Sequence, residues 1–546
     1  MTESVENAFR TAADHAPTLD SNQQLIWLGQ RQAPDLPIYE ISYRFDIDGP
    51  VDPERFSRAF EAWVDSTPIM RWVADDEQWT APNLVSHCPR PNDIRELDSA
   101  GCADQEIEEA IADRMAQRLN HTSALYDSLL IHVGREKSVW LMRVHHSLTD
   151  ASNGAVMLAQ LSAFYEAIEP DRERPEFPEF QNLLDLEERH PRDKTRDDGQ
   201  WWQERTGPPA QNNLIGYGQG QDDRYRQLRY PFVVPDDVIR SVRSLAARPP
   251  FRQFTSDLSE FVVYATALGL WMRRMQDVER VAFGATAHGR ATHDSKRCCG
   301  MFMQLLPMLI NVDADEHVDS VAKRIGAESL GFLKHATRNS MSPATQNSFD
   351  CVLNLIGFSV ESFAGLRTTL KWLHNGWGDP GLPLTLSVDR TDAEHPSWLI
   401  DYSVERFSGR SIRQFANQLA GIVQQLDCGS ALRVRDLQLP SEPTDVPFPG
   451  PHPDSGEVKT DSTPFRETSL RERFLAVATA NQDRVAIEDE HGTLTYAELL
   501  DAAKDLAEVI DDAGFDRMVP VLCQRDRHAL IAILGSALSG RCFLPL

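Results

Sequence analysis

Ser138-Val139-Trp140-Leu141-Met142-Arg143-Val144-His145-His146-Ser147-Leu148-Thr149-Asp150-Ala151 decides how this chain is read. Its first half is apolar and rich in β-branched residues, the pattern of a strand. Beyond it Met157, Leu161, Phe164, Tyr165 and Ile168 recur at helical spacing until Pro170, and Asp150 or Ser152 is placed to cap the first turn. Two imidazoles and a carboxylate therefore stand at a strand-to-helix junction. Neighbouring side chains in extended backbone point to opposite faces, so His145 and His146 are not expected to enter one cavity together. The second of them, His146, suits the role of base, because a neutral imidazole with an ordinary pKa of about 6.5 can take a proton near neutral pH from an amine or hydroxyl attacking a carbonyl. Asp150 reads as an orienting group, held ionised by an arginine and bracing the turn, with Arg71 and Arg290 as the candidate partners. A metal site made of His145, His146 and Asp150 is the alternative. It requires both imidazoles to converge, which adjacent positions disfavour.

Composition bounds the rest. At 546 residues the chain exceeds what one hydrophobic core organises, and 41% hydrophobic with 25% charged residues is ordinary for a globular protein. The longest apolar stretch, Phe261 to Met272, is too short to span a bilayer, so no membrane partner is expected. Met1 to Ala16 lacks the basic and apolar regions of a signal peptide, which predicts a cytoplasmic location. A formal charge of −27, from 82 acidic against 55 basic side chains, opposes a general affinity for nucleic acid. Eight scattered cysteines, with only Cys298-Cys299 adjacent and no Cys-x-x-Cys pair, read as reduced thiols and as neither a disulfide framework nor a zinc ribbon.

Along the chain, residues 1–172 alternate strand and helix signals: an extended Tyr39 to Ile47, a helix near Pro53 to Ser66, and the pair Leu129 to Val133 and Ser138 to Val144 around Gly134. Residues 173–440 give a second set, with helices at Asp257 to Met275 and Ser411 to Leu426 and strands at Arg280 to Gly284, Leu384 to Val388 and Trp398 to Tyr402. Seven prolines between Pro440 and Pro464, among Ser, Asp, Gly and Thr, mark residues 441–465 as a linker. A further domain, residues 466–546, then begins with a helix at Leu470 to Ala478, short strands at Arg484 to Glu488 and Leu494 to Tyr496, and a helix from Tyr496 to Asp511. Its length predicts an incomplete domain.

His145 to Ala151 resembles the His-His-x-x-x-Asp-Gly signature of the condensation domains of nonribosomal peptide synthetases. Ser21-Asn22-Gln23-Gln24-Leu25-Ile26-Trp27 is loosely similar to that family's opening Ser-x-x-Gln-x-x-x-Trp, one residue short of it, and Pro68-Ile69-Met70-Arg71 falls where the family has Glu-x-Leu-Arg. Gly300 to Pro307 resembles its Gly-x-Phe-x-Asn-x-x-Pro segment, and Phe349 to Leu355, with Asn354, its Phe-Asn strand. The likeness covers residues 19 to about 440. After the linker, Leu494-Thr495-Tyr496-Ala497-Glu498-Leu499 is similar to the first core motif of adenylation domains, and Ala537 to Leu546 resembles the start of the second. The chain departs from the family at Ala151, where the motif has glycine, and at Gln304, where it has asparagine. Ala287-His288-Gly289-Arg290 is faintly similar to the His-Gly-Arg of epimerisation domains, without the acidic residue expected before it.

The resemblance implies an α/β fold: two chloramphenicol-acetyltransferase-like lobes in a V-shaped pseudo-dimer, residues 1–172 and 173–440, with a tunnel meeting His146 between them, followed by an incomplete α/β adenylation-domain fragment that does not activate amino acids. It implies amide formation between an acyl or peptidyl thioester donor and an aminoacyl acceptor, both delivered on the 4'-phosphopantetheine of carrier proteins, with no tightly bound cofactor. His146, His145 and Asp150 are the expected catalytic residues, supported by Arg71, Arg290, Ala151 and Asn354; donor and acceptor peptidyl carrier proteins and other synthetase modules are the expected partners. Two other readings remain open: a free-standing acyltransferase working from CoA or a carrier, and a non-catalytic docking or gating module.

Overall fold

The computed structural model describes residues 19–439 and 470–545, except 76–81, 98–103, 134–136, 169–172, 190–197, 207–222, 277, 338–339, 341–347, 358–359, 361, 393, 429–431, 490–491, 516–517 and 522–526. The linker at 441–465, the N-terminal sixteen residues, Gly134 and Pro170 lie outside the described residues. Contacts divide the chain into two units, Met1–Glu457 and Val458–Leu546.

In the first unit the strands relevant to the site are β1 (Glu40–Asp48), β2 (Asp93–Leu97), β3 (Tyr126–Val133), β4 (Lys137–His145), β5 (Gln227–Val233), β6 (Arg280–Ala287), β7 (Gln304–Asn311), β8 (Cys351–Ile356), β9 (Thr368–Leu373), β10 (Leu384–Asp389) and β11 (Ser397–Ser403). They make two sheets, with orders β9-β1-β4-β3-β2 and β5-β11-β10-β8-β6-β7. Strand β4 is central in the first. Its whole length pairs antiparallel with β1, from Glu40 opposite His145 to Asp48 opposite Lys137, and with β3 on its other side. Both faces of β4 are covered, which is why Ser138 to Val144 is almost continuously apolar. Trp140, Met142 and Val144 enter the larger core with α2 (Pro53–Asp65) and α3 (Asn153–Ala167), whereas Val139 and Leu141 pack on the opposite side against Ile107, Ala110 and Ile111. Helix α2 starts where Asp52 accepts the Arg55 amide at 2.9 Å and Pro53 occupies the first turn, which has no need of its missing N–H. It is pinned to α3 by the Trp63 indole donating to Gln160 Oε1 at 2.8 Å.

Ser152 stands at the start of α3 but makes no capping bond, a correction to the sequence reading; its backbone is already helical. Asp150 instead accepts the Ser152 amide at 3.1 Å and so fixes the turn before the helix.

The second sheet is mixed. β6, β8 and β10 run parallel and the outer pairings are antiparallel. Helices Asp236–Ala246, Ser256–Gln276, Val318–His335 and Gly409–Cys428 supply the other half of its core. The expected lobe boundary at residue 172 is crossed by β9, which pairs antiparallel with β1 from Ile47 opposite Thr368 to Ser42 opposite Leu373 and so makes the edge of the first sheet. Phe180, Cys299, Phe302 and Phe363 likewise pack in the first core. The two halves are therefore stitched by backbone hydrogen bonds as well as by side-chain packing.

In the second unit, Leu470–Ala480 packs with the hairpin Val485–Asp489 and Gly492–Thr495 and with Tyr496–Asp512, around Phe474, Ala478, Ile487, Leu499 and Ala503. Thr495 and Glu498 form a capping box that starts the long helix. Strands Met518–Val521 and Cys542–Pro545 are parallel, joined through Arg527–Leu538.

Candidate active site

Strand β4 ends at His145 and the chain turns at once into a single 3-10 turn, His146–Leu148. Because residues alternate along β4, His145 shares its side with Arg143 and is fully buried. Its Nδ1 lies 2.8 Å from Ser147 Oγ, and its ring meets those of Trp27, Tyr39 and His121 edge-on at 6.1, 6.3 and 5.8 Å. Behind it Glu40 joins Arg143 at 2.8 Å and His121 at 3.5 Å. Burial, reinforced by His121 and His146, pushes the His145 pKa well below the usual imidazole range.

His146 goes the other way. Its backbone amide donates to the Tyr39 carbonyl at 2.7 Å, and its carbonyl accepts the Thr149 amide at 3.2 Å. His146 lines a cavity of about 220 Å³ between the sheets, walled by α1 (Ser21–Gln32), by Met303 and Leu305, and by residues from Trp372 at the end of β9 to Asp379 beyond it. Nδ1 of His146 has no hydrogen-bond partner among the described residues. Burial lowers its pKa against smaller opposing pulls from its own backbone, Asp150 and the Thr149 backbone, which favours the unprotonated ring, the form that can take a proton. The two imidazoles do not converge, as the strand geometry predicts.

The turn itself is held from four elements. Gln23 on α1 donates to the Ser147 carbonyl at 2.7 Å, and Tyr43 on β1 donates to the Asp150 carbonyl at 2.7 Å with its hydroxyl 2.8 Å from Thr149 Oγ1. Asn153 Nδ2 donates to Thr149 Oγ1 at 3.2 Å. Asp150 accepts the Phe302 amide at 2.9 Å and faces Arg290, whose Nη2 is 3.3 Å from both carboxylate oxygens. Arg290 in turn donates to the carbonyls of Ser295, Cys298 and Gly300 at 2.7, 2.7 and 2.8 Å and lies over the Phe302 ring. Gly289 makes this arm possible, because its φ of +66° and a Cβ position 2.2 Å from the Phe302 carbonyl oxygen both exclude a side chain.

Of the expected support, Arg290 is therefore the partner of Asp150 and Arg71 is not. Arg71 Nη1 donates to the carbonyls of Val85 and Ser86, both at 2.8 Å, bracing a loop instead. Asn354 accepts a hydrogen bond from Thr286 Oγ1 at 2.8 Å across the second sheet, and it is not among the residues lining the cavity. Ala151 is buried in the turn with ordinary backbone angles, so the alanine carries no strain there, and its methyl group is not part of the cavity wall. Tyr43, Tyr39 and Asn153 were not expected from the sequence. Tyr43 on its strand, Asn153 on its helix and Tyr39 just before β1 are brought to the turn only by the fold. Gln23 lies inside a motif already quoted, without a role attached.

Among the described residues no helix is long and apolar enough to cross a membrane, and no group of three or more His, Cys, Asp or Glu side chains is placed to hold a metal ion.

Compared with known proteins, residues 13–339 match the family model of the Condensation domain. The chain is 22% identical to the dimodular nonribosomal peptide synthase of Bacillus subtilis (strain 168), over 97% of its own length and 22% of that protein. It is 24% identical to the isonitrile lipopeptide synthase of Streptomyces coeruleorubidus, over 99% and 36% of the respective lengths. The chain thus spans about a fifth to about a third of these curated relatives. Among solved structures, the first condensation domain of the CDA synthetase superposes with a TM-score of 0.63 at 18% identity, covering 79% of this chain and 100% of that one, which fixes the two-lobed chloramphenicol-acetyltransferase-like fold.

Proposed function

Given that the chain belongs to the condensation-domain family, we propose that it joins two carrier-borne thioesters into an amide at His146. The acceptor amine attacks the donor's thioester carbonyl, giving a tetrahedral intermediate. His146 takes the proton the amine sheds and returns one to the departing sulfur, so that the C–S bond breaks, the C–N bond forms and the donor arm leaves as a free thiol. Positioning of two tethered reactants in one cavity supplies a further share of the rate. Asp150 and Arg290 hold the turn that aims the imidazole, and His145 packs behind it. The observation that carries this reading is the His146 ring on the wall of a cavity to which both halves of the unit contribute.

The partners are donor and acceptor peptidyl carrier proteins, 4'-phosphopantetheine being part of each substrate and no cofactor being tightly held. A cytoplasmic site of action fits these partners. Residues 441–465 are read as a linker and residues 466–546 as the start of an adenylation domain, a reading supported by alignment to synthetases over 97% of the chain. The test is intact-mass measurement of a loaded acceptor carrier protein after incubation with donor thioesters. A gain equal to the donor acyl group is expected; transfer only to a free alcohol without a carrier, or no transfer with any donor, refutes the proposal.

A further inference from the structure

Of the three carboxylates that line the cavity beside His146, one has no cationic partner among the described residues. Glu40 is joined to Arg143 and Asp401 to Arg229, the latter pair through two bonds of 2.7 and 2.8 Å. His374, buried beside Asp401 and Arg229, is pushed down to about 4 and is neutral. Asp379 differs: its Oδ2 accepts the Tyr39 hydroxyl at 2.6 Å and its Oδ1 the Gly381 amide at 2.8 Å, and no cation lies within ion-pair distance among the described residues. Arg226 is stacked on the Trp377 ring and does not line the cavity.

Asp379 also forms part of a second cavity, of about 390 Å³, and so stands in the wall between the two with Leu25, Ile38, Tyr39 and Leu382. In that second cavity the other acid, Asp350, is 3.6 Å from Arg406. The same Tyr39 whose carbonyl holds the His146 backbone thus carries the hydroxyl bound to Asp379. A carboxylate on the wall of two cavities, satisfied by neutral donors and matched by no cation, favours a ligand that brings its own positive charge.

We propose that Asp379 selects a reactant with a cationic side chain, an amino acid bearing an ammonium or guanidinium group, for the reaction at His146. This rests on the amide-forming role proposed above. The side-chain cation would meet the carboxylate while the arm reaches His146, the aliphatic stem lying along Leu25, Ile38 and Leu382.

The test uses the full chain and two probes, lysyl-pantetheine amide and norleucyl-pantetheine amide, which share the arm, the α-amine and a four-carbon side chain and differ in the terminal ammonium group. By titration calorimetry the lysyl probe should bind about tenfold more tightly or better. In Asp379→Asn that ratio should fall to about one, and in Tyr39→Phe, which keeps the carboxylate and removes its hydroxyl partner, it should persist. If the tie between Tyr39 and Asp379 is only structural, both variants weaken both probes alike and the ratio is unchanged, which overturns the inference. Equal binding of the two probes by the wild-type chain, or no binding of either, also overturns it. Amide formation by the wild-type chain without discrimination leaves the proposed reaction standing and removes this inference alone, whereas absence of amide formation with charged and uncharged reactants removes the reaction itself.

Discussion

Asp150→Ala removes the acceptor of three donor groups at once: the Phe302 amide, the Ser152 amide and the Arg290 guanidinium. Side-chain exposures of 3% for Asp150 and 7% for Arg290 place the pair out of water, so the variant leaves a buried cation uncompensated. Breaking such a pair costs about 3–5 kcal/mol. Unfolding entropy of about 2.1 cal/mol/K per residue, over a unit of this size, converts that loss to roughly 3–5 °C in Tm. The remaining contacts of Arg290 with three carbonyls and Asn153 soften the loss. The assay is thermal and urea unfolding of the wild type, Asp150→Ala, Arg290→Ala and the double variant, with amide formation followed in parallel. A coupling energy of about 1–3 kcal/mol between the two positions is expected, with activity falling alongside stability. Independent effects, or an unchanged midpoint in Asp150→Ala, would refute the bracing role.

Arg71→Ala should leave amide formation within about twofold of wild type and cost about 1–3 kcal/mol of stability, since it removes two hydrogen bonds to loop carbonyls and not a partner of Asp150; a collapse of activity, read in the same coupled assay, would restore Arg71 to the site. The stability of the first unit should fall in mild acid. His374 is depressed in the folded state to about 4 from an ordinary value of 6.5, so between those values the unfolded chain binds the extra proton and stability is lost as pH falls, by about 3 kcal/mol in total. His145 and His146, lowered by burial, add loss of the same sign over the same direction of pH. Urea midpoints at pH 7 and pH 4.5, compared between wild type and His374→Gln, measure it, and an equal acid slope in both would contradict the His374 contribution.

The motif and its fold were readable wherever local pattern and burial agree. The run Ser138 to Val144 signals a strand covered on both faces, and the helical spacing from Met157 to Tyr165 marks α3, because each is a property of consecutive residues. The split between His145 and His146 followed from strand alternation alone. What escaped is set by distant pairing. Thr368–Leu373 alternates polar and apolar residues weakly and carries no signal that it leaves the second half to edge the first sheet. Arg71 and Arg290 were indistinguishable as partners of Asp150, since an arginine's reach depends on the loop that presents it; Gly289 and the Phe302 carbonyl decide the matter only in three dimensions. Asp379 gave no sign at all, because a missing counter-ion is a property of the assembled wall.

The central claim, that the imidazole at position 146 serves the proton transfer, is tested most directly by His146→Ala. With far-UV circular dichroism and Tm showing that the variant folds, the rate at which the acceptor carrier protein gains the donor's acyl mass should drop by about 10²- to 10⁴-fold. A folded variant that forms the amide at close to the wild-type rate would contradict the account.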